Sequence, residues 1–196
     1  MTYSYYIVHI DNSIKITIFD GVYEPAEDSY LLIEAIDAED IKNCKKALDM
    51  GCGSGIIALH LAKFCSVVAV DVNEMAVKNT MHNAKLNGIK LDARKSDLFS
   101  SIYEKFDIIA FNPPYLPTEG EDIAWDGGKG GIDVMNKFFE DAWKYLNRDG
   151  KIYFIASSLS NIEELIERHG RYEFKKLKEK AYFFEKLYAY VAKPVP

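Results

Sequence analysis

The residues of this sequence best suited to chemistry are Asn112-Pro113-Pro114-Tyr115. The side-chain oxygen of Asn112 and the main-chain oxygen of Pro113 are two acceptors on a stretch that consecutive prolines hold rigid. Fixed acceptors of this kind suit a planar nitrogen carrying two hydrogens. Such a nitrogen, in an amide or an aromatic amine, is a poor nucleophile because its lone pair is delocalised, so a reaction on it depends on orientation and on stabilising the charge that develops. Tyr115 can stack on the planar group. No strong base is needed, because the nitrogen becomes acidic as its new bond forms.

A second group of residues reads as a nucleoside pocket. Asp49-Met50-Gly51-Cys52-Gly53-Ser54-Gly55 follows an apolar strand and opens into a helix, so Gly51, Gly53 and Gly55 let the backbone turn tightly against a ligand. Asp71 ends the next strand about twenty residues on, where a carboxylate accepts both hydroxyl hydrogens of a ribose. Ser96-Asp97-Leu98 follows the third strand, where Asp97 can accept from the amino group of adenine. A nicotinamide enzyme would share part of this pattern. Ile56, however, stands where the dinucleotide fingerprint wants a small third residue, and no second domain is left for a hydride acceptor. The two acids therefore describe an adenosyl pocket, with S-adenosylmethionine as the expected cofactor and nitrogen methylation as the expected chemistry.

The elements that must position these residues alternate. Strands are expected at Lys46 to Met50, Val67 to Val70, Ile89 to Arg94, Phe106 to Phe111 and Lys151 to Ala156. Helices are expected from Pro25, from the glycine loop to Phe64, from Asn73 to Asn87, near Val134 to Leu146, and from a Ser160/Glu163 capping box to about His169. Asn87-Gly88 supplies a helix stop, and Asn147, Asp149 and Gly150 a turn. Two closing strands fall near Tyr172 to Leu177 and Phe183 to Val191, and a hairpin at Tyr3 to Ile10 and Ile14 to Phe19 begins the chain. This alternation predicts an α/β fold, a mostly parallel sheet covered by helices on both faces.

With 196 residues the chain is expected to be one domain, with residues 1–23 as an N-terminal hairpin or lid and 24–196 as the catalytic core. Hydrophobic residues at 48% and charged residues at 28% are globular proportions, and no apolar run is long enough to span a bilayer, so a cytoplasmic protein is expected. The net charge of -6 disfavours nucleic acid as a partner. Cys44, Cys52 and Cys65 fit no zinc spacing, so no metal is expected, and Cys52 is read as small packing within the loop. Lys175, Lys176, Lys178 and Lys180 read as a solvated strand edge, and Trp125 to Gly131 as a glycine-rich flap.

Taken together, Val22-Tyr23-Glu24-Pro25-Ala26-Glu27-Asp28-Ser29, the glycine loop, the Asn-Pro-Pro-Tyr loop and Ala124-Trp125-Asp126-Gly127-Gly128 resemble the release-factor glutamine N5-methyltransferases, in their eukaryotic and archaeal branch. The resemblance covers most of the chain. It implies a seven-stranded Rossmann-like sheet with its last strand antiparallel, and methylation of the glutamine in the Gly-Gly-Gln loop of a class 1 release factor. It also implies cofactor contacts from Ser29, Asp49, Gly51, Asp71, Asp97 and Leu98, with Asn112, Pro113, Pro114, Tyr115 and Leu116 holding the acceptor. The branch works with a small zinc-binding activator protein. A heterodimer paired along Ile89 to Arg94, which the resemblance places at a sheet edge, is therefore expected. Exocyclic amines of adenine or guanine present similar hydrogens, so a nucleic-acid methyltransferase is the alternative, and lysine methylation a possible second activity.

Overall fold

The computed structural model describes residues 10–117 and 128–195. Seven strands form one sheet in the order β3-β2-β1-β4-β5-β7-β6. They are β1 (Lys46–Met50), β2 (Ser66–Asp71), β3 (Asp92–Lys95), β4 (Phe106–Phe111), β5 (Leu146–Ser157), β6 (Tyr172–Ala181) and β7 (Lys186–Pro194). Strands β1 to β5 pair in parallel, and β7 runs antiparallel to both β5 and β6. Val67 to Val70 and Ile108 to Phe111 are continuous buried runs, as a sheet covered on both faces requires.

The helices are α1 (Glu27–Ala35), α2 (Ala38–Asn43), α3 (Ile56–Leu61), α4 (Glu74–Leu86), α5 (Asp133–Asp141) and α6 (Ile162–Arg168). Two adjacent residues of β5 show both faces covered. The Tyr153 hydroxyl bonds to Asp40 of α2, whereas the Phe154 ring packs edge-on against Phe139 of α5 at 5.1 Å. Neighbouring strand residues point to opposite faces, so α2 and α5 cover opposite sides.

Several elements depart from the sequence reading. The first helix starts at Glu27, two residues after Pro25, and α2, capped by Asp37 accepting from Glu39 N at 2.8 Å, was not anticipated. Helix α3 ends at Leu61 and α5 at Asp141, where a 3-10 turn, Ala142–Tyr145, takes over. Strand β3 begins only at Asp92, so Ile89 and Leu91 precede the edge strand rather than alternate along it. Asn147 to Gly150 form a bulge inside β5, where pairing steps from Phe106↔Leu146 to Ile108↔Lys151. Lys175, Lys176, Lys178 and Lys180 do lie on the edge strand, where Lys176 meets Glu179 at 2.7 Å.

Of the expected N-terminal hairpin, Tyr3 to His9 lie outside the described residues, and Ile14 to Phe19 pairs with no strand among the described residues. Its backbone is read by asparagine side chains of α4 and its C-cap. Asn87 accepts from Lys15 N at 2.8 Å and donates to Lys15 O at 2.7 Å; Asn83 treats Thr17 likewise at 2.9 and 2.9 Å; Asn79 accepts from Phe19 N at 2.9 Å. The periods match: two strand residues advance about 6.6–6.8 Å and four helix residues about 6.0 Å, so an extended chain stays in register with a helix face. Asn73 continues the grip, donating to Gly21 O at 2.9 Å.

Candidate active site

A cavity of about 350 Å³ opens at the carboxyl ends of the strands around β1 and β4, where the strand order reverses. Open α/β sheets bind ligands at such a switch point. Ser29, Gly51, Gly53, Asp71, Asp97, Leu98 and residues Asn112 to Leu116 all line it, as do Tyr23 and Asp28, which sequence reasoning did not assign to the site.

Asp71 is held by two backbone donors, Gly53 N on Oδ2 at 3.0 Å and Asn73 N on Oδ1 at 2.8 Å. Each oxygen keeps a lone pair for a further donor, an arrangement suited to paired hydroxyls. Burial raises its pKa, and the backbone donors oppose the shift. Asp97 is exposed at the cavity rim and followed by Leu98, the one non-glycine residue among those described with positive φ, at 46°. Ser96 Oγ donates to Leu98 O at 2.7 Å and Ser100 Oγ accepts from Asp97 N at 3.0 Å, which ties down this strained turn.

Asp49 has a different position. It is fully buried behind the loop rather than in the cavity wall, and Oδ2 accepts from Ala58 N at 2.9 Å, which anchors the start of α3. Oδ1 has no hydrogen-bond partner, and burial pushes the pKa up to about 8. Cys52 is buried packing beside it, its thiol pKa raised well above normal by the same burial. Gly55 shows why the loop excludes side chains. At φ 87°, a Cβ there would lie 2.9 Å from Thr80 of α4.

The acceptor loop leaves β4 at Asn112. Its Nδ2 donates to Ser29 Oγ at 3.4 Å, and its Oδ1 is buried without a hydrogen-bond partner. A buried carbonyl oxygen left over is uncommon in a folded protein and marks a place for a donor. Tyr115 is buried, and its hydroxyl donates to Asp28 Oδ2 at 3.1 Å, which fixes the ring that the sequence reading assigned to stacking. Burial, then the Asp28 and Glu185 charges, raise the Tyr115 pKa, so its hydroxyl stays protonated and donating.

Two remote residues clamp this loop. Ser160 does not cap α6, whose N-cap is Asn161; its hydroxyl donates to Tyr115 O at 2.8 Å instead. Gly131, at φ 69°, packs so closely that a Cβ would stand 2.3 Å from Tyr115 O. Of the expected flap, Trp125, Asp126 and Gly127 lie outside the described residues, while Gly130 O accepts from Asn161 N at 2.9 Å. One signal in the sequence pointed to the asparagine grip: Asn79, Asn83 and Asn87 recur every four residues on a helix, where asparagine is a weak former.

Residues 21–184 match the family of methyltransferase small domains. A Methanocaldococcus jannaschii protein, provisionally named a protein N5-glutamine methyltransferase, is 40% identical over 171 residues, covering 83% of this chain and 85% of its own. The Homo sapiens methyltransferase HEMK2 is 31% identical, over 76% of this chain and 78% of that one. Among solved structures, the E. cuniculi Mtq2–Trm112 complex, described as responsible for methylation of the translation termination factor eRF1, superimposes with a TM-score of 0.74 at 27% identity. The match covers 89% of this chain and 99% of that chain.

Proposed function

This chain belongs to the methyltransferase small-domain family, in its protein N5-glutamine methyltransferase branch, and from that premise we propose that it methylates the Gly-Gly-Gln glutamine of a class 1 peptide release factor. The methyl donor is S-adenosylmethionine, which when bound supplies an electrophilic methyl group on a sulfonium. The residues present suit it. Asp71 offers two oriented lone pairs for the ribose hydroxyls, Asp97 an exposed carboxylate for the adenine amine, and Gly51 and Gly53 a wall without side chains. Asp49 supports this wall from behind through Ala58 N.

The observation that carries the acceptor reading is the Asn112 carbonyl oxygen, buried in the cavity with no hydrogen-bond partner. In this reading Asn112 Oδ1 and Pro113 O accept the two amide hydrogens of the glutamine. That holds the nitrogen still and favours the positive charge that grows on it. Tyr115 and Leu116 flank the amide, and Pro114 limits the motion of the loop. The nitrogen becomes acidic as its bond forms, so it needs no protein base.

The reading includes a heterodimer with a small zinc-binding activator paired along the β3 edge; what supports a partner is that the E. cuniculi neighbour was solved with Trm112. Leu91 and Ala93 pack only partly against the core there. No helix among the described residues is long and apolar enough to cross a membrane, and a cytoplasmic setting goes with a release-factor substrate. The test is methyl transfer to purified release factor, with and without the activator, the product mapped by mass spectrometry. Labelling that disappears when the target glutamine is replaced is expected. Persistent labelling at another site, or faster transfer to RNA or DNA at matched salt, would refute the assignment.

A further inference from the structure

The start of α1 contributes to the acceptor site a pair of residues whose hydrogen-bond polarity runs one way. Asp28 is 3% exposed, and its carboxylate gathers four donors: Ser29 N at 2.6 Å, Ser29 Oγ at 3.2 Å, the Tyr23 hydroxyl at 2.8 Å and the Tyr115 hydroxyl at 3.1 Å. An ionised carboxylate only accepts. The single hydrogen of the Ser29 hydroxyl is therefore committed to Asp28, and Ser29 Oγ faces Asn112 with lone pairs alone.

A carboxamide has one donating and one accepting end, and either can be presented by a half-turn of the terminal bond. Against a Ser29 oxygen that can only accept, Asn112 must present Nδ2, which is what the 3.4 Å contact records. That contact is long and weak, so its value is directional. It leaves Oδ1, the atom without a partner, as the end that faces the acceptor. The reverse orientation would aim two N–H donors at a nitrogen that itself carries hydrogens.

We propose that Asp28 and Ser29 are positioning residues that fix the orientation of the Asn112 carboxamide, so that its oxygen is the atom offered to the methyl acceptor. Asp28 sets the polarity, Ser29 transmits it, and the Tyr115 hydroxyl bound to the same carboxylate keeps the acceptor loop in register with α1. The proposal rests on the reading of Asn112 as the acceptor-holding residue. It gives Ser29 a role toward Asn112, separate from a contact with the methyl donor.

The experiment has two readouts. In the free protein, the Asn112 side-chain amide hydrogens are followed by NMR in wild type, Asp28→Asn and Ser29→Ala. Protection from exchange is expected to fall by about ten-fold in both variants as the amide gains freedom to rotate. Unchanged shifts and exchange in both would overturn the orientation claim, whatever the substrate is. Turnover on release factor is then measured as a double-mutant cycle. Asp28→Asn, which keeps shape but can donate, should lower kcat by roughly ten- to a hundred-fold with KM and cofactor affinity little changed. In an Asn112→Ala background the same change should add almost nothing, because there is no carboxamide left to orient. Ser29→Thr, which retains the hydroxyl, should recover most of the kcat lost in Ser29→Ala. A full loss from Asp28→Asn in the Asn112→Ala background would mean a general structural role and overturn the proposal. Absence of any transfer by wild type to release factor would instead count against the substrate, with the NMR result still deciding the orientation.

Discussion

Asn83→Ala removes one carboxamide that joins the N-terminal segment, helix α4 and the glycine loop. Asn83 is 0% exposed, and its amide nitrogen donates to Ser54 O at 2.8 Å and Thr17 O at 2.9 Å while its oxygen accepts from Thr17 N at 2.9 Å. The three bonds are not equal. Thr17 O keeps a donor in Asn79 at 2.7 Å, and Thr17 is exposed, so its N–H can turn to water at a net loss of about 0.5–1.5 kcal/mol. Ser54 is buried, so loss of its carbonyl's donor costs about 1–3 kcal/mol. The sum is roughly 1.5–4.5 kcal/mol, and for a chain of this size each kcal/mol lowers Tm by about 2–4 °C, so a drop on the order of 3–18 °C is expected. Asn87→Ala, whose contacts with Lys15 lie at the exposed end, should cost about 1 kcal/mol. Thermal melts followed by circular dichroism compare the two, with amide exchange at residues 14–19 as the local probe. The same segment leads into Gly21, Val22 and Tyr23 of the cavity wall, so cofactor affinity should fall with stability. Equal melting temperatures for wild type and Asn83→Ala, or a larger loss from Asn87→Ala, would refute the reasoning.

Three further outcomes are expected. Asp71→Ala removes a charged acceptor worth about 1.5–3 kcal/mol, so calorimetry should show S-adenosylmethionine binding weakened by roughly ten- to a hundred-fold; unchanged affinity in the folded variant would exclude the ribose role. Gly131→Ala forces a side chain into positive φ and against Tyr115 O, so kcat should drop by about ten-fold or more while cofactor affinity holds; normal turnover would show that the clamp on the acceptor loop is dispensable. Asp49 holds its proton to about pH 8 in the fold but ionises near 3.8 when unfolded, so the unfolded state sheds protons first and stability declines as pH rises between those values, then levels off. Asp49→Asn should flatten that decline in denaturant titrations from pH 5 to 9, and parallel curves for the two proteins would contradict it.

The elements whose signals are local were legible in the sequence. The glycine loop, the Asn112-Pro113-Pro114-Tyr115 loop, the Asn73 cap and the Gly88 stop depend on backbone freedom, missing donors and short side-chain reach, which neighbouring residues determine. The alternation of buried runs with amphipathic helices likewise implied a parallel sheet, and so a cavity at the ends of β1 and β4. What the sequence left open were the partners of groups that could bond locally or at a distance. Ser160 is placed as a capping residue by spacing and spends its hydroxyl on Tyr115 O; Ile14 to Phe19 alternates like a strand and pairs with asparagines 60 to 72 residues away. Asp28 carries no role in the sequence beyond its place in the Val22 to Ser29 stretch, and only folding brings the Tyr23 and Tyr115 hydroxyls together on its carboxylate. A hydroxyl, a carboxamide or a free strand edge carries the same chemistry wherever it stands. Which donor meets which acceptor is settled by the packing of the core, because burial removes water as the alternative partner and leaves only the group that the fold has placed within reach.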